Sequence, residues 1–541
     1  DPANDDINLM PLIAGSEGSL VMLKELKLGI VPIPKYAVLF AVSYHDFIDA
    51  LNDVADILSF KPSAIETMDN NVLRLAKKDI IWDQVMRIIP DNVDADTIKA
   101  MHCVEFMAED KGSLNALATA FETHLREKNA IYHTTDHDAE MNAVWHMRNQ
   151  CVGLLGNMEG PRRPWPFVED AAVPPENLAG YVADVRTFLK EQGYDCGMFG
   201  HVDAGCLHIR PILDLRDEAD AGMIRTITEG MVKIVAKYKG NFWGEHGRGL
   251  RGEFISDIMG PEFYNAMQEI KMVFDPKNRL NPGKMAVAAN TKMALIKVDE
   301  MPYRGHFDRQ ISQTYIDVFP KAIQCNGNGM CFSAMPDDTM CPSYKATRDR
   351  RHSPKGRAGL LREWMRLETL GKTDGFEHEV YEAMSGCLGC KACTNTCPIH
   401  VNIPDMKSKF LRRYHEKNKR PLRDYLVGYT EKMAHILSIM PRFSAFLIGN
   451  PFTRWGLQKF FDMVDAPLPS SPNIYEQMRR EGFKFANIKM LHRMPEDMRK
   501  KHVLIVQDAF TSFYDVNTFI SVLRLIKVLG YTPLVLPFRQ S

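Results

Sequence analysis

The run Cys387-Leu388-Gly389-Cys390-Lys391-Ala392-Cys393-Thr394-Asn395-Thr396-Cys397-Pro398 decides what half of this chain can be. It reads Cys-x2-Cys-x2-Cys-x3-Cys-Pro. Three thiolates at this spacing wrap a turn of backbone around one face of an iron–sulfur cubane. The fourth leaves in an extended direction before proline, and in two-cluster proteins it ligates the other cluster. A structural zinc site needs only four ligands and uses other spacings. The run therefore predicts a [4Fe–4S] cluster.

Upstream stand Cys325, Cys331 and Cys341, the last followed by Pro342, which resembles a degenerate first half of a two-cluster module. Two ligand assignments follow. In one, Cys341 crosses over to complete the cluster of Cys387, Cys390 and Cys393, and Cys397 crosses back to Cys325 and Cys331, leaving three thiolates for a second cluster. In the other, Cys397 closes the cluster of its own run and the earlier three cysteines are structural. One cluster is expected either way, and a second is left open. The remaining cysteines, Cys103, Cys151, Cys196 and Cys206, are scattered. A dense cysteine segment in a long chain is the opposite of a disulfide scaffold and favours metal ligation in a reducing compartment.

The 541 residues leave room for three or four domains at roughly 100–200 residues each. A formal net charge of −1 gives no electrostatic case for nucleic acid or an anionic membrane. The opening Asp-Pro-Ala-Asn-Asp-Asp is no signal peptide and lacks Met, so it reads as an internal piece of a longer chain. The most apolar stretch, 434–452, is broken by Pro441, Arg442 and Pro451, which excludes a membrane span of about 20 apolar residues. The expected location is the cytoplasm, with a peripheral position at the inner membrane as the alternative.

Along the chain, residues 1–25 read as the end of a domain. Val21 to Pro34 alternates like a strand. Over 26–290 strands and amphipathic helices alternate, which predicts an α+β domain with an antiparallel sheet and helices on one face. Residues 291–320 are a linker, 321–420 the mostly helical, ferredoxin-like iron–sulfur module, and 421–500 a helical connector. Residues 501–541 contain one strand–helix–strand unit, the start of an α/β domain.

Two motifs in the first half converge on chemistry. In Gly200-His201-Val202-Asp203-Ala204-Gly205-Cys206-Leu207-His208 the histidines have opposite strand parity, but the Asp-Ala-Gly turn can bring both to one site. Gly244-Glu245-His246-Gly247 sets a carboxylate beside an imidazole. His201, His208 and Glu245 form a His2Glu set that leaves an open position on zinc or manganese. The competing reading is chance pairing among 17 histidines.

These motifs, with Gly15-Ser16-Glu17-Gly18-Ser19-Leu20, the Trp145 and Arg148 pair and Asp275-Pro276-Lys277-Asn278-Arg279-Leu280-Asn281-Pro282-Gly283-Lys284, resemble the FAD-linked D-2-hydroxyacid dehydrogenases. That family includes D-lactate, glycolate and D-2-hydroxyglutarate dehydrogenases. The resemblance covers residues 1 to about 290 and implies a substrate domain of the FAD-linked oxidase C-terminal type. The cysteine module resembles the iron–sulfur subunit of glycolate oxidase, and the fusion is similar to large bacterial FAD- and iron–sulfur-containing D-2-hydroxyglutarate dehydrogenases.

The resemblance implies that His201, His208 and Glu245 bind a divalent metal, that His246 is the general base and that Arg148 holds the substrate carboxylate. Ser16, Glu17 and Asn281 would lie in segments approaching FAD. The family's lysine in a Lys-x-Asp-Val-x-x-Pro strand is absent from Val168-Glu169-Asp170-Ala171-Ala172-Val173-Pro174, and Arg162 and Arg163 are the expected substitutes for binding a second carboxylate. The expected reaction is oxidation of D-2-hydroxyglutarate, with glycolate, D-lactate or a non-catalytic electron relay as alternatives. Expected partners are the small D-2-hydroxyacid, an external electron acceptor, a FAD-binding domain in the same longer chain or a partner chain, and a second copy of the chain; nucleic acid is not among them.

Overall fold

The structure, a computed structural model, describes residues 7–79 and 81–537. Residues 1–6 and 538–541, assigned above to the first and last segments, lie outside the described residues. The chain divides into two compact units, Asp1–Leu411 and Arg412–Ser541.

The first unit is built on an antiparallel sheet. Its strands are β1 (Tyr36–Tyr44), β2 (Ala64–Met68), β3 (Ala100–Ala108), β4 (Ile131–Thr135), β5 (Arg163–Pro164), β6 (Ala171–Ala172), β7 (Cys196–His201) and β8 (Cys206–Leu213). They run in the order β4-β1-β3-β2-β7-β8-β5, with β6 also pairing β8. The helices among them are α1 (Phe47–Leu58), α2 (Asn70–Ala76), α3 (Lys111–Glu127), α4 (Asp138–Asn149), α5 (Cys151–Gly156), α6 (Leu178–Glu191) and α7 (Glu218–Lys237). Asp46 and Asp217 start α1 and α7 by accepting first-turn backbone N–H groups, the usual N-cap role.

Both faces of the sheet are covered, not one as expected. Val38, Phe40 and Val42 of β1 enter a core with α1, α3, α6 and α7, while Leu39 and Ala41 enter a second core with α2, α4 and α5. The physical reason is in β1 itself. Its apolar run has no polar parity, so each face of the strand must be removed from water.

The strand expected over Val21–Pro34 does not form; that segment is irregular, and Met22, Ile30 and Ile33 are exposed. Alternation is a local signal, and a strand needs a neighbour to satisfy its backbone.

The cysteine segment packs into the same unit as the sheet. Its helices are α8 (Pro354–Leu370), α9 (Phe376–Ser385), α10 (Ala392–Thr396) and α11 (Ile403–Lys417). Trp364 of α8 is its apolar centre, meeting Phe319 and Phe410 edge to face. Pro398 sits so close to α5 that a Cβ on Gly153 would lie 1.7 Å from its own Cβ. The Asn157 side chain donates to the Pro398 carbonyl, and His400 Nε2 is 3.3 Å from Asp79 Oδ2.

The second unit is helical and ends in parallel β9 (His502–Ile505) and β10 (Thr532–Val535), joined through α12 (Val516–Val528). Val516, Phe519, Ile520 and Leu523 pack with Val535 and Ile474. Among the described residues no helix is long and apolar enough to cross a membrane.

Candidate metal and iron–sulfur centres

The β7–β8 hairpin brings the two histidines together. His201 ends β7, a short turn over Val202–Ala204 follows, and Gly205 reverses the chain at φ +69°. A side chain at Gly205 would meet the Val173 carbonyl at 1.8 Å, so glycine is required there twice over. The rings of His201 and His208 stand 5.3 Å apart at right angles.

Three imidazoles converge on one oxygen. Glu245 Oε1 lies 3.2 Å from His201 Nε2, 3.1 Å from His208 Nε2 and 3.4 Å from His246 Nε2. Ligand atoms of His201, His208 and Glu245 all fall within 4.8 Å of one another, close enough for a single ion. His201 Nδ1 donates to Glu66 Oε1 at 2.6 Å, which directs its Nε2 lone pair to the common point. Burial, followed by the positive charges of His201, Arg148, His246 and Arg210, pushes the His208 pKa down to about 3, so this imidazole is neutral and able to ligate. The Glu66 hydrogen bond raises His201, so protons compete with a metal there first. Donor type, count and convergence fit a divalent cation.

Sequence reasoning missed the groups that hold this cluster. Glu66 of β2 joins His201 to Arg148, whose Nε donates to its Oε2 at 2.7 Å. Asp170, fully buried at φ +86°, accepts from the backbone N–H groups of Glu245 at 2.8 Å and His246 at 3.0 Å. Its Oδ1 is also 3.5 Å from His246 Nδ1. Arg210, two residues from His208 and so on the same strand face, lies with Arg148 against the ring of Phe199, at 5.4 and 5.1 Å. Its Nη2 is 2.7 Å from Glu169 Oε2. Glu66 lies outside every motif quoted above, Asp170 fills the Asp of the Lys-x-Asp-Val-x-x-Pro segment and Arg210 follows His208 by two residues; the partner of each lies 40 or more residues away in sequence.

Arg162 and Arg163 are not brought to this cluster. Arg162 is paired with Asp220 at 3.1 Å and lies over Tyr194. Arg163 pairs in register with Leu213, and the five residue steps along β8 from His208 to Leu213 span about 17 Å at the usual strand rise. Its guanidinium donates to the carbonyls of Gly160 and Arg162.

Glu17 and Asn281 meet beside the site, and Ser16 is turned to its own segment. Glu17 Oε1 accepts from the Arg248 backbone at 2.8 Å, and Asn281 Nδ2 donates to the Glu17 carbonyl at 3.1 Å. Ser16 Oγ bonds the Ile13 carbonyl at 2.8 Å. This places Glu17 against Gly247, next to His246.

In the cysteine module, Cys341, Cys387, Cys390 and Cys393 line one small cavity, and Arg357 Nη1 donates to Cys341 Sγ at 3.7 Å. Burial raises the Cys393 thiol, with Cys387, Cys341 and Cys390 as the neighbours that add to it. Cys397 instead neighbours Cys325, and Cys331 neighbours both. The thiols thus group as Cys341 with Cys387, Cys390 and Cys393, and as Cys397 with Cys325 and Cys331. Among the described residues no three thiols lie within 4.8 Å of one another.

Residues 33–285 match the family described as FAD linked oxidases, C-terminal domain, and residues 321–401 match the 4Fe-4S dicluster domain. The chain joins a FAD-linked oxidase C-terminal domain to a 4Fe-4S dicluster domain. It is 41% identical to the D-2-hydroxyglutarate dehydrogenase of Pseudomonas putida and 38% identical to that of Escherichia coli, each over 99% of this chain and 56% of the relative. It thus spans about half the length of these curated relatives. The glycolate oxidase subunit GlcD of Bacillus subtilis is 25% identical over 51% of this chain and 57% of its own. The FAD-linked oxidase domain and the dicluster domain support FAD and an iron–sulfur cluster as cofactors.

Proposed function

We propose that this chain is the substrate-oxidising and electron-relaying part of a D-2-hydroxyacid dehydrogenase whose substrate is D-2-hydroxyglutarate. The observation that carries the reading is the convergence of His201, His208 and His246 on Glu245 Oε1, beside two arginines that share the Phe199 ring. Long similarity to named D-2-hydroxyglutarate dehydrogenases supports the choice of substrate.

When bound, a divalent cation such as zinc or manganese supplies Lewis-acid polarisation of the substrate hydroxyl, and FAD supplies the acceptor for the α-carbon hydride. His201, His208 and Glu245 hold the cation. His246 takes the hydroxyl proton at Nε2, and Asp170 behind its Nδ1 orients the ring. Arg148 keeps its Nε on Glu66 and offers the rest of its planar fork to the carboxylate beside the reacting carbon. Arg210 takes the distal carboxylate in place of Arg162 and Arg163, since it is the arginine on the His208 face of β8. The flavin is carried by a domain outside these residues, in the same polypeptide or a partner chain, and Glu17 and Asn281 form the wall that meets it. Electrons leave through the cysteine module to an external acceptor.

The test is anaerobic reduction of the flavin in full-length protein by a panel of D-2-hydroxyacids. D-2-hydroxyglutarate is expected to bleach it fastest. Faster reduction by D-lactate or glycolate refutes the substrate, and reduction by none refutes the activity.

A further inference from the structure

The two halves of the cysteine module share one backbone pattern but not one ligand set. In Cys387-x2-Cys390-x2-Cys393 the middle thiol is exposed, and left-handed residues flank it, Gly389 at φ +72° and Lys391 at φ +62°. In Cys325-x2-Asn328-x2-Cys331 the middle residue is also exposed and is flanked by Gly327 at φ +75° and Gly329 at φ +82°. Each half then reaches a Cys-Pro pair: Cys341-Pro342 opens a short helix over Pro342–Thr347, and Cys397-Pro398 follows directly after α10. The chain thus makes the same loop twice, and at its middle ligand position the first copy carries an amide.

That amide is not aimed at a metal. Asn328 Nδ2 donates to Asn326 Oδ1 at 3.0 Å, and Asn328 Oδ1 accepts from the Met330 backbone at 3.0 Å. The three thiols Cys325, Cys331 and Cys397 are buried, and the Lys355 N–H points at Cys331 Sγ from 3.4 Å, as an N–H does toward a cluster-bound sulfur. Cys325, Asn326 and Asn328 also line a cavity of about 500 Å³ that reaches Arg210 and Arg163 of the sheet. The side of the site lacking a thiolate therefore opens onto space large enough for water.

We infer that Cys325, Cys331 and Cys397 hold a second [4Fe–4S] cluster in which one iron has no protein ligand and faces the cavity beside Asn328. This rests on the iron–sulfur reading of the module and is independent of the substrate. A cubane with three thiolates gives up its unligated iron on mild oxidation. [4Fe–4S]²⁺ releases Fe²⁺ and passes one electron to ferricyanide, which becomes ferrocyanide, and [3Fe–4S]⁺ remains. The cluster of Cys341, Cys387, Cys390 and Cys393 has four thiolates and keeps its iron under the same treatment.

The experiment uses full-length protein prepared anaerobically, with iron and acid-labile sulfide counted before and after ferricyanide and EPR recorded on each sample. Wild type is expected to hold about eight iron and eight sulfide per chain, four for each cluster. It should release about one iron and show the [3Fe–4S]⁺ signal, and Fe²⁺ with dithionite should reverse both. Asn328→Cys restores the missing thiolate at an exposed position, so that variant should hold as much iron and retain it. A wild-type count near four iron overturns the second cluster. Eight iron with none released, or release from Asn328→Cys equal to wild type, overturns the open corner. Zinc without sulfide instead overturns the iron–sulfur reading of the whole module.

Discussion

The histidine–glutamate centre and the cysteine module both gather metal-binding side chains, but they are built in opposite ways. The first takes ligands from a hairpin and a distant loop and fixes each with a protein group: Glu66 on His201, Asp170 on the Glu245 and His246 backbone. Its shape is held by these protein groups. The second takes ligands from two short loops, and among the described residues no three of its thiols lie within 4.8 Å of one another. A cluster bound there would fill the space between them and become part of the packing. A preformed site should lose its metal without losing its shape, whereas removing a cluster should loosen the module around it.

The largest expected effect is on the preformed side. His246→Ala in full-length protein should lower kcat by about 10²–10⁴-fold with little change in substrate binding, because a general base acts mainly in the transition state. Steady-state kinetics with D-2-hydroxyglutarate checks this, and a loss confined to KM would remove His246 from the proton transfer. Next comes the support of the site. Glu66→Gln keeps the shape but weakens the hold on His201, and should cost about 10–100-fold in divalent-metal affinity, read by titration of the chelator-treated protein. If affinity is unchanged, the site is not preorganised in the way described.

A comparable effect separates the arginines. Arg210→Ala should reduce the preference for D-2-hydroxyglutarate over D-lactate by on the order of 10–100-fold, the worth of a charged hydrogen bond. Arg162→Ala and Arg163→Ala should leave the preference unchanged. The opposite pattern would return the distal clamp to the arginine pair.

The smallest effect concerns acid. Burial depresses His102 to about 4 and His208 to about 3, against about 6.5 in an unfolded chain. Between those values the unfolded state binds protons that the folded state refuses, so stability of metal-free protein should fall as pH drops from about 6.5 toward 4. His201 is shifted the other way and adds stability that is lost as pH rises through its raised pKa, which lies above this range. A metal-free melting temperature that rises on acidification over that range would contradict the burial of these rings.

Much of this contrast could be read from the sequence. Cysteine ligands on short loops declare themselves by spacing, so the module was legible at once, while the choice between crossed ligands and a self-contained Cys387–Cys397 run was not. The hairpin histidines and the Glu245-His246 pair were legible as motifs. Glu66, Asp170 and Arg210 were not, because their partners are set by sheet pairing across the fold: Glu66 meets His201 only because β2 and β7 are neighbours. Arg162 and Arg163 looked apt because of their flanking prolines, but the register of β5 on β8 carries them to the far end of the strand. The two-sided sheet was written in the unbroken apolar run of β1, whereas the alternation of Val21–Pro34 carried no information about a partner.

The central claim is that His201, His208 and Glu245 form a metal centre used to oxidise substrate. It is tested most directly by metal removal from full-length protein, followed by anaerobic mixing with D-2-hydroxyglutarate while flavin absorbance is followed. The account predicts that the chelated protein no longer bleaches with substrate, still bleaches with dithionite, and recovers substrate reduction when about one equivalent of zinc or manganese per chain is returned. Undiminished reduction by substrate after complete removal of divalent metal would contradict it.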